Sequence, residues 1–154
     1  MANTTAMANS FKQELLGMAT HTSTDVYKIA LIKVGATGTY GASNTSVGTP
    51  GSGAPVANTN LGTDEASGTG YTAGGATLTG LSATLQGTTG VLDFANATWP
   101  TSSIAATGAI IYNSSKSNKV VAVFDFGGTI TSSNGTFTAA MPAVGAATSL
   151  LRIA

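Results

Sequence analysis

Apolar and polar positions alternate through Val26-Tyr27-Lys28-Ile29-Ala30-Leu31-Ile32, a β-branched run that puts Tyr27, Ile29 and Leu31 on one face. That period predicts a strand. Six further runs follow: Ala76 to Leu85, Val91 to Trp99, Ile104 to Asn113, Lys119 to Phe126, Thr136 to Met141 and Ser149 to Ile153. Short strands recurring about every 8 to 12 residues, with Gly or Asn between them, are the pattern of a sandwich or barrel, so the predicted class is all-β. Ahead of them, Phe11, Leu15 and Met18 recur at helical spacing, and Ser10 and Gln13 stand where a capping box would satisfy the first backbone donors. This predicts one short helix over 11–18 behind a flexible arm, residues 1–10. Two helical turns are unstable alone, so the apolar side must lie on the body or on a partner.

Turn chemistry divides the strands. Asn134-Gly135 suits a type I′ hairpin turn, because both residues tolerate positive φ, and Gly127-Gly128 and Asn113-Ser114-Ser115 are further predicted turns. Residues 35–75 are different in kind, with Gly, Ser, Thr, Asn or Pro at nearly every position. A structureless loop longer than about 15 residues is uncommon in a compact domain and is usually functional or disordered, so this stretch reads as a polar excursion able to touch a neighbour.

The length, 154 residues, suits a single domain over 1–154, and an apolar share of 42% is enough for one core. Six acids balance six bases, giving a formal net charge of zero. The bases are scattered rather than clustered, which argues against a nucleic-acid partner. Near-zero charge gives little colloidal repulsion, so self-association or docking onto a larger assembly gains weight. With no cysteine there is neither a disulfide framework nor a thiolate site. The start has no basic segment followed by an apolar run, and no stretch approaches the roughly 18 apolar residues of a membrane span, so neither a secretory signal nor a membrane partner is expected.

Candidate chemistry is sparse. Gly68-Thr69-Gly70-Tyr71-Thr72-Ala73 matches the phosphate-binding fingerprint in letters, but the chain then continues as a strand, whereas that motif needs a helix N-terminus, so it reads as a glycine-rich turn. Asp93 and Asp125 are strand carboxylates that could flank a glycosidic bond if paired across a cleft; outward positions on half-buried strands are the ordinary reading. His21 has no partners in local sequence and reads as a surface turn residue. Asp64-Glu65 lacks a Ca²⁺-loop pattern and reads as a solvated acidic pair. The only Trp, Trp99, either covers an open end of the core or anchors an interface. Asn-x-Ser/Thr sequons at Asn3, Asn44, Asn96, Asn113 and Asn134 follow from the abundance of Ser and Thr. The expectation is a protein without catalytic residues, cofactor or metal.

Several segments go further. Ala8 to Leu16 (ANSFKQELL), Thr24 to Leu31, Gly68 to Ala76, Asp93-Phe94-Ala95, Thr98-Trp99, Gly108 to Asn113, Ser117 to Gly127 and the ending Ile153-Ala154 resemble, in the same order, a family of small structural proteins of tailed bacteriophages. The resemblance covers nearly the whole chain apart from 34–60, and the polar insert after Val34 departs from the family pattern. It implies a jelly-roll-like antiparallel β-sandwich that acts as a capsid cement or head decoration protein. Such a protein would be made in the bacterial host cytoplasm and bind the major capsid protein on the outer surface of the virion as a dimer or trimer. Cementing would add many copies of a modest interface across capsomer seams, so that weak contacts act through avidity. The arm before Phe11 and the helix side carrying Phe11, Leu15 and Leu16 are candidate partner contacts, with burial on the sandwich as the ordinary reading, and Trp99 is a further candidate. The alternative is a tail or fibre module recognising host surface glycans, with Tyr40, Tyr71 or Trp99 stacking on sugars.

Overall fold

A computed structural model describes residues 3–18 and 20–154. Its elements, in chain order, are β1 (Ala6–Met7), α1 (Asn9–Leu16), β2 (Tyr27–Lys33), β3 (Ala76–Thr77), β4 (Ser82–Gln86), β5 (Thr89–Asp93), β6 (Ala97–Ser102), β7 (Ala105–Asn113), β8 (Lys119–Thr131), β9 (Gly135–Ala139) and β10 (Leu151–Ile153). The strands form three antiparallel sheets, in the orders β1-β8-β7-β2-β3, β10-β5-β4 and β6-β9. The protein is an all-β sandwich with one short helix, as the alternation predicts.

The five-stranded sheet is its centre. β2 pairs with β7 as Ile29↔Ile111 and Leu31↔Ala109, and the face that carries Tyr27, Ile29 and Leu31 looks toward the small sheets. Tyr27 meets Phe94 with ring centroids 5.6 Å apart, and Phe137 meets Phe126 at 6.4 Å and Trp99 at 5.8 Å. Alternation sends Ala30 and Ile32 to the opposite face, yet both are also fully buried. What covers them is the polar excursion.

That excursion is folded along its length. At Thr45–Val47 it runs beside the outer edge of β8, with Val47 N–H donating to Asn118 O and Val120 N–H to Thr45 O. At Glu65–Ala66 it runs beside the outer edge of β2, with Ala66 N–H donating to Leu31 O. Between these two seams the chain spans the sheet, and two of its few large apolar side chains, Val47 and Leu61, are buried there, while Val56 is exposed. Composition hides this arrangement, because the bonds holding the segment are made by backbone and by two acids rather than by an apolar stripe.

Several expectations need correction. The arm is not free: β1 pairs with β8 as Ala6↔Val123, Thr4 N–H donates to Tyr40 O, and Asp125 N–H donates to the Thr5 hydroxyl. The helix starts at Asn9 and ends at Leu16, with Ala8 at its N-cap and no side-chain cap, so Ser10 and Gln13 form no capping box. The body supplies the first acceptors instead, Ala42 O for Asn9 N–H and Val121 O for Ala8 N–H, leaving the buried Ser10 hydroxyl without a partner. The predicted runs 76–85 and 91–99 each break into two strands. Gly127-Gly128 is no turn: β8 continues through it as an irregularity that shifts the register from Gly108↔Asp125 to Ala106↔Ile130. Asn134 has φ +49, but β9 pairs with β6 rather than with β8, so Asn134-Gly135 links two sheets and closes no hairpin. The turn predicted at Asn113-Ser114-Ser115 is present and runs on through 118, with Lys116 N–H donating to Asn113 O.

Candidate interaction surface

An apolar groove of about 440 Å³ runs between the N-terminal segment and the β10-β5-β4 sheet. Met7, Phe11 and Leu15 form one wall; Leu85, Leu92 and Ile153 stand on the other. The wall residues on α1 are one turn apart, so the helix presents them together. Phe11 is buried and forms the floor, Leu15 is half-buried, and Leu16 beside them is 82% exposed. Across the groove Leu85 is 69% and Ile153 59% exposed, because β4 and β10 are the two edge strands of their sheet. Arg152, the one charged lining residue, turns its guanidinium to the carbonyl of Ala147 at 2.7 Å.

Of the residues expected to contact a partner, the structure brings Phe11 and Leu15 into this groove, with Leu16 next to it. Trp99 lies elsewhere, 5% exposed between Tyr71 and Phe137. It is a core residue, which resolves the open choice toward burial. Leu85 and Ile153 were missed. A partial signal was present: Leu78 and Leu85 are an odd number of residues apart, so on a strand with one buried face they point opposite ways, and Leu85 is the exposed one.

A polar network fixes α1 from behind. The His21 imidazole is buried, against its expected surface position, with Nε2 2.7 Å from Glu14 Oε2 and its ring edge-on to Phe11. Asn113 Nδ2 reaches both His21 Nδ1 at 3.0 Å and Asp25 Oδ2 at 2.8 Å, while its Oδ1 accepts Ser115 N–H. Those two outer bonds fix which way the amide points, so His21 Nδ1 is the acceptor and its Nε2–H donates to Glu14. Lys119 completes the network on Glu14 Oε1. Burial opposes ionisation of Glu14, but the hydrogen bonds from Lys119 and His21 outweigh it and hold the carboxyl below its usual range.

Asp64 and Glu65 are the second correction, since both are buried rather than solvated. Asp64 accepts from Gly38 N–H at 2.7 Å, Thr37 N–H at 2.9 Å and the Tyr40 hydroxyl at 2.8 Å, with Lys33 Nζ at 3.4 Å. Glu65 Oε1 accepts from the Tyr71 hydroxyl at 2.7 Å and Gly74 N–H at 2.8 Å, and Leu31 N–H donates to that same hydroxyl. The environments split the two acids. Burial acts on both, but the donors around Asp64 overcome it and lower its pKa, whereas burial dominates at Glu65 and raises it.

The other candidates do not assemble into a site. Asp93 points inward, against its expected outward position, with Oδ1 accepting Leu150 N–H at 3.0 Å, while Asp125 is exposed on a different sheet. Gly68-Thr69-Gly70 is a turn, with Tyr71 N–H donating to Gly68 O, and no helix follows it. Of the aromatics considered for sugar stacking, Tyr40 and Trp99 are buried, and Tyr71 lies 5.8 Å from Trp99 in a stacked pair. Among the described residues no three His, Cys, Asp or Glu side chains are grouped to hold a metal ion, and no helix is long and apolar enough to cross a membrane. No protein-family model, curated protein or solved structure matches the chain.

Proposed function

We propose that the protein is a structural component of a tailed-phage virion, a capsid cement or head decoration protein that stabilises the shell by bridging capsomers. The observation that carries this reading is the exposed apolar groove between α1 and the β10-β5-β4 sheet. The resemblance of segments 8–16, 68–76 and 117–127 to phage structural proteins supports it. In this reading the groove is the contact with the major capsid protein, and the protein acts on the outer surface of the head without catalysis or cofactor.

Magnitudes favour repeated copies. Burying Leu16, Leu85 and Ile153 contributes at most about 1.5 to 3 kcal/mol each, while association costs about 4 to 15 kcal/mol in lost freedom. One copy therefore docks marginally. A dimer or trimer that shares the cost across several grooves holds firmly, which is how a modest interface cements a shell. Electron cryo-microscopy of particles incubated with the purified protein tests the proposal. Density of this size on the head lattice, lost with Leu85→Asp, is the expected outcome; density confined to the tail, or none, refutes it.

A further inference from the structure

A second, smaller cavity lies on the opposite face, inside the excursion. It measures about 220 Å³ and has Gly51, Thr63, Ser67 and Ala73 around its exposed mouth and Glu65, Ala66 and Tyr71 at its base. Glu65 is 4% exposed, and its Oε1 is held by the Tyr71 hydroxyl and Gly74 N–H. Its Oε2 has no hydrogen-bond partner. This oxygen is directed at the cavity rim: a Cβ added to Gly51, which has φ +71, would stand 3.2 Å from it and 2.7 Å from the Ala73 Cβ. A buried carboxylate oxygen left without a donor is a costly arrangement, and such groups in folded proteins ordinarily have a partner.

We propose that this cavity is a binding site for a primary alkylammonium group, with Glu65 Oε2 receiving the ammonium and Tyr71, Ala66 and Ala73 lining the alkyl stem. The charge of the ligand follows from the carboxylate. No described Lys or Arg pairs with Glu65 within 4.0 Å; Lys28, its Nζ 3.4 Å from where a Cβ on Gly74 would lie, acts on the carboxylate only through space and leaves Oε2 without a donor. Besides Glu65 and Tyr71, the only polar side chains lining this small cavity are Thr63 and Ser67, too few for a sugar ring and too few oxygens for a hard divalent cation. Two bonds on Oε1 fix the carboxylate before the ligand arrives, so little ordering is needed at binding. Both a lysine side chain of another protein and a free alkylamine carry this head and stem.

The test is titration of the full-length protein with n-butylammonium, Nα-acetyl-lysine amide and glucose, followed by amide NMR shifts at 63–74. Saturable shifts with either amine, weakened about tenfold or more in Glu65→Gln, are expected from loss of a charged hydrogen bond. A preference for the lysine amide marks a protein side chain as the natural occupant, and a preference for butylammonium marks a free amine. Ala73→Phe, at the exposed mouth, fills the entrance while keeping the carboxylate in the chain and should abolish the shifts while the rest of the spectrum stays unchanged. Shifts with glucose alone, equal binding by Glu65→Gln, or no shift with either amine would each overturn the assignment.

Discussion

Removing the Asp64 carboxylate should release the excursion before it unfolds anything else. In Asp64→Ala, the amides of Thr37 and Gly38 and the Tyr40 hydroxyl lose a shared acceptor, and Lys33 loses its counter-charge. A hydrogen bond to a charged group contributes about 1.5 to 3 kcal/mol, but three donors on one carboxylate do not add. Lys33, with 36% of its side chain exposed, can be solvated once Asp64 is gone, so the loss comes from the stranded donors, about 3 kcal/mol. Urea unfolding at pH 7 measures it, and hydrogen exchange locates it, with residues 37–66 losing protection first. Asp64→Asn keeps one acceptor oxygen and should cost less. The pH dependence has a fixed sign: because the folded pKa is lowered, the stabilisation is present above the ordinary carboxylate value, about 3.9, and is lost as pH falls through the lowered value. An Asp64→Ala protein within about 0.5 kcal/mol of wild type, with the excursion still protected, would refute the view that this acid pins the loop.

Glu65 should behave with the opposite sign. Its raised folded pKa means that its contribution is present in acid and lost as pH rises through that value, so unfolding of Glu65→Gln against wild type should favour the variant more at pH 7 than at pH 4. Phe11→Ala should cost about 3 kcal/mol as a core truncation, whereas Leu16→Ala should stay within about 0.5 kcal/mol, both by thermal unfolding. Gly75→Ala would drive a Cβ to 1.8 Å from Ile29 O at φ +71, costing about 3 kcal/mol or more, while Gly87→Ala, at φ +65 with open space, should cost only about 1 kcal/mol. Asn113→Ala should lose about 2 to 3 kcal/mol in urea and shift the imidazole signals of His21, the sole histidine.

The parts of the fold that were legible in sequence are those governed by alternation. β2, β7 and the first half of β8 read directly, because Ile29, Ile111 and Val123 sit in β-branched runs whose side chains are buried by neighbours. Local turn chemistry was less reliable. Asn134 adopts the left-handed conformation its identity suggests, yet what it connects depends on β9 joining β6, a pairing with no local signature. The capping box failed for a related reason: backbone acceptors from 42 and 121 reached the helix start first. The buried acids were hardest to see, since Asp64-Glu65 looks solvated unless one knows that Thr37, Gly38, Tyr40, Tyr71 and Gly74 converge on it. Phe11 and Leu15 were found by period, but the facing wall of the groove comes from β4 and β10, which chain distance separates from α1.

The polar excursion also keeps the central sheet from offering open edges. An open sheet edge offers unpaired amides and carbonyls to any passing strand. Here β8 is covered by Thr45–Val47 and then by residues 5–8, and β2 by β3, by Glu65–Ala66 and by the Tyr71 hydroxyl that accepts Leu31 N–H. The covering satisfies the edge's backbone groups with short segments of mostly small residues, and Val47, its one β-branched apolar side chain, is buried. Two carboxylates with no exposed charge hold it down, which keeps the net charge near zero without exposing the edge. Strand pairing at those edges is thereby blocked, while Leu16, Leu85 and Ile153 remain uncovered elsewhere. If that division holds, Asp64→Ala should do more than destabilise: with the β8 and β2 edges bared, light scattering should show irreversible aggregation that Leu85→Asp does not suppress, whereas aggregation that Leu85→Asp abolishes would mean the groove, and not the edges, was the sticky surface all along.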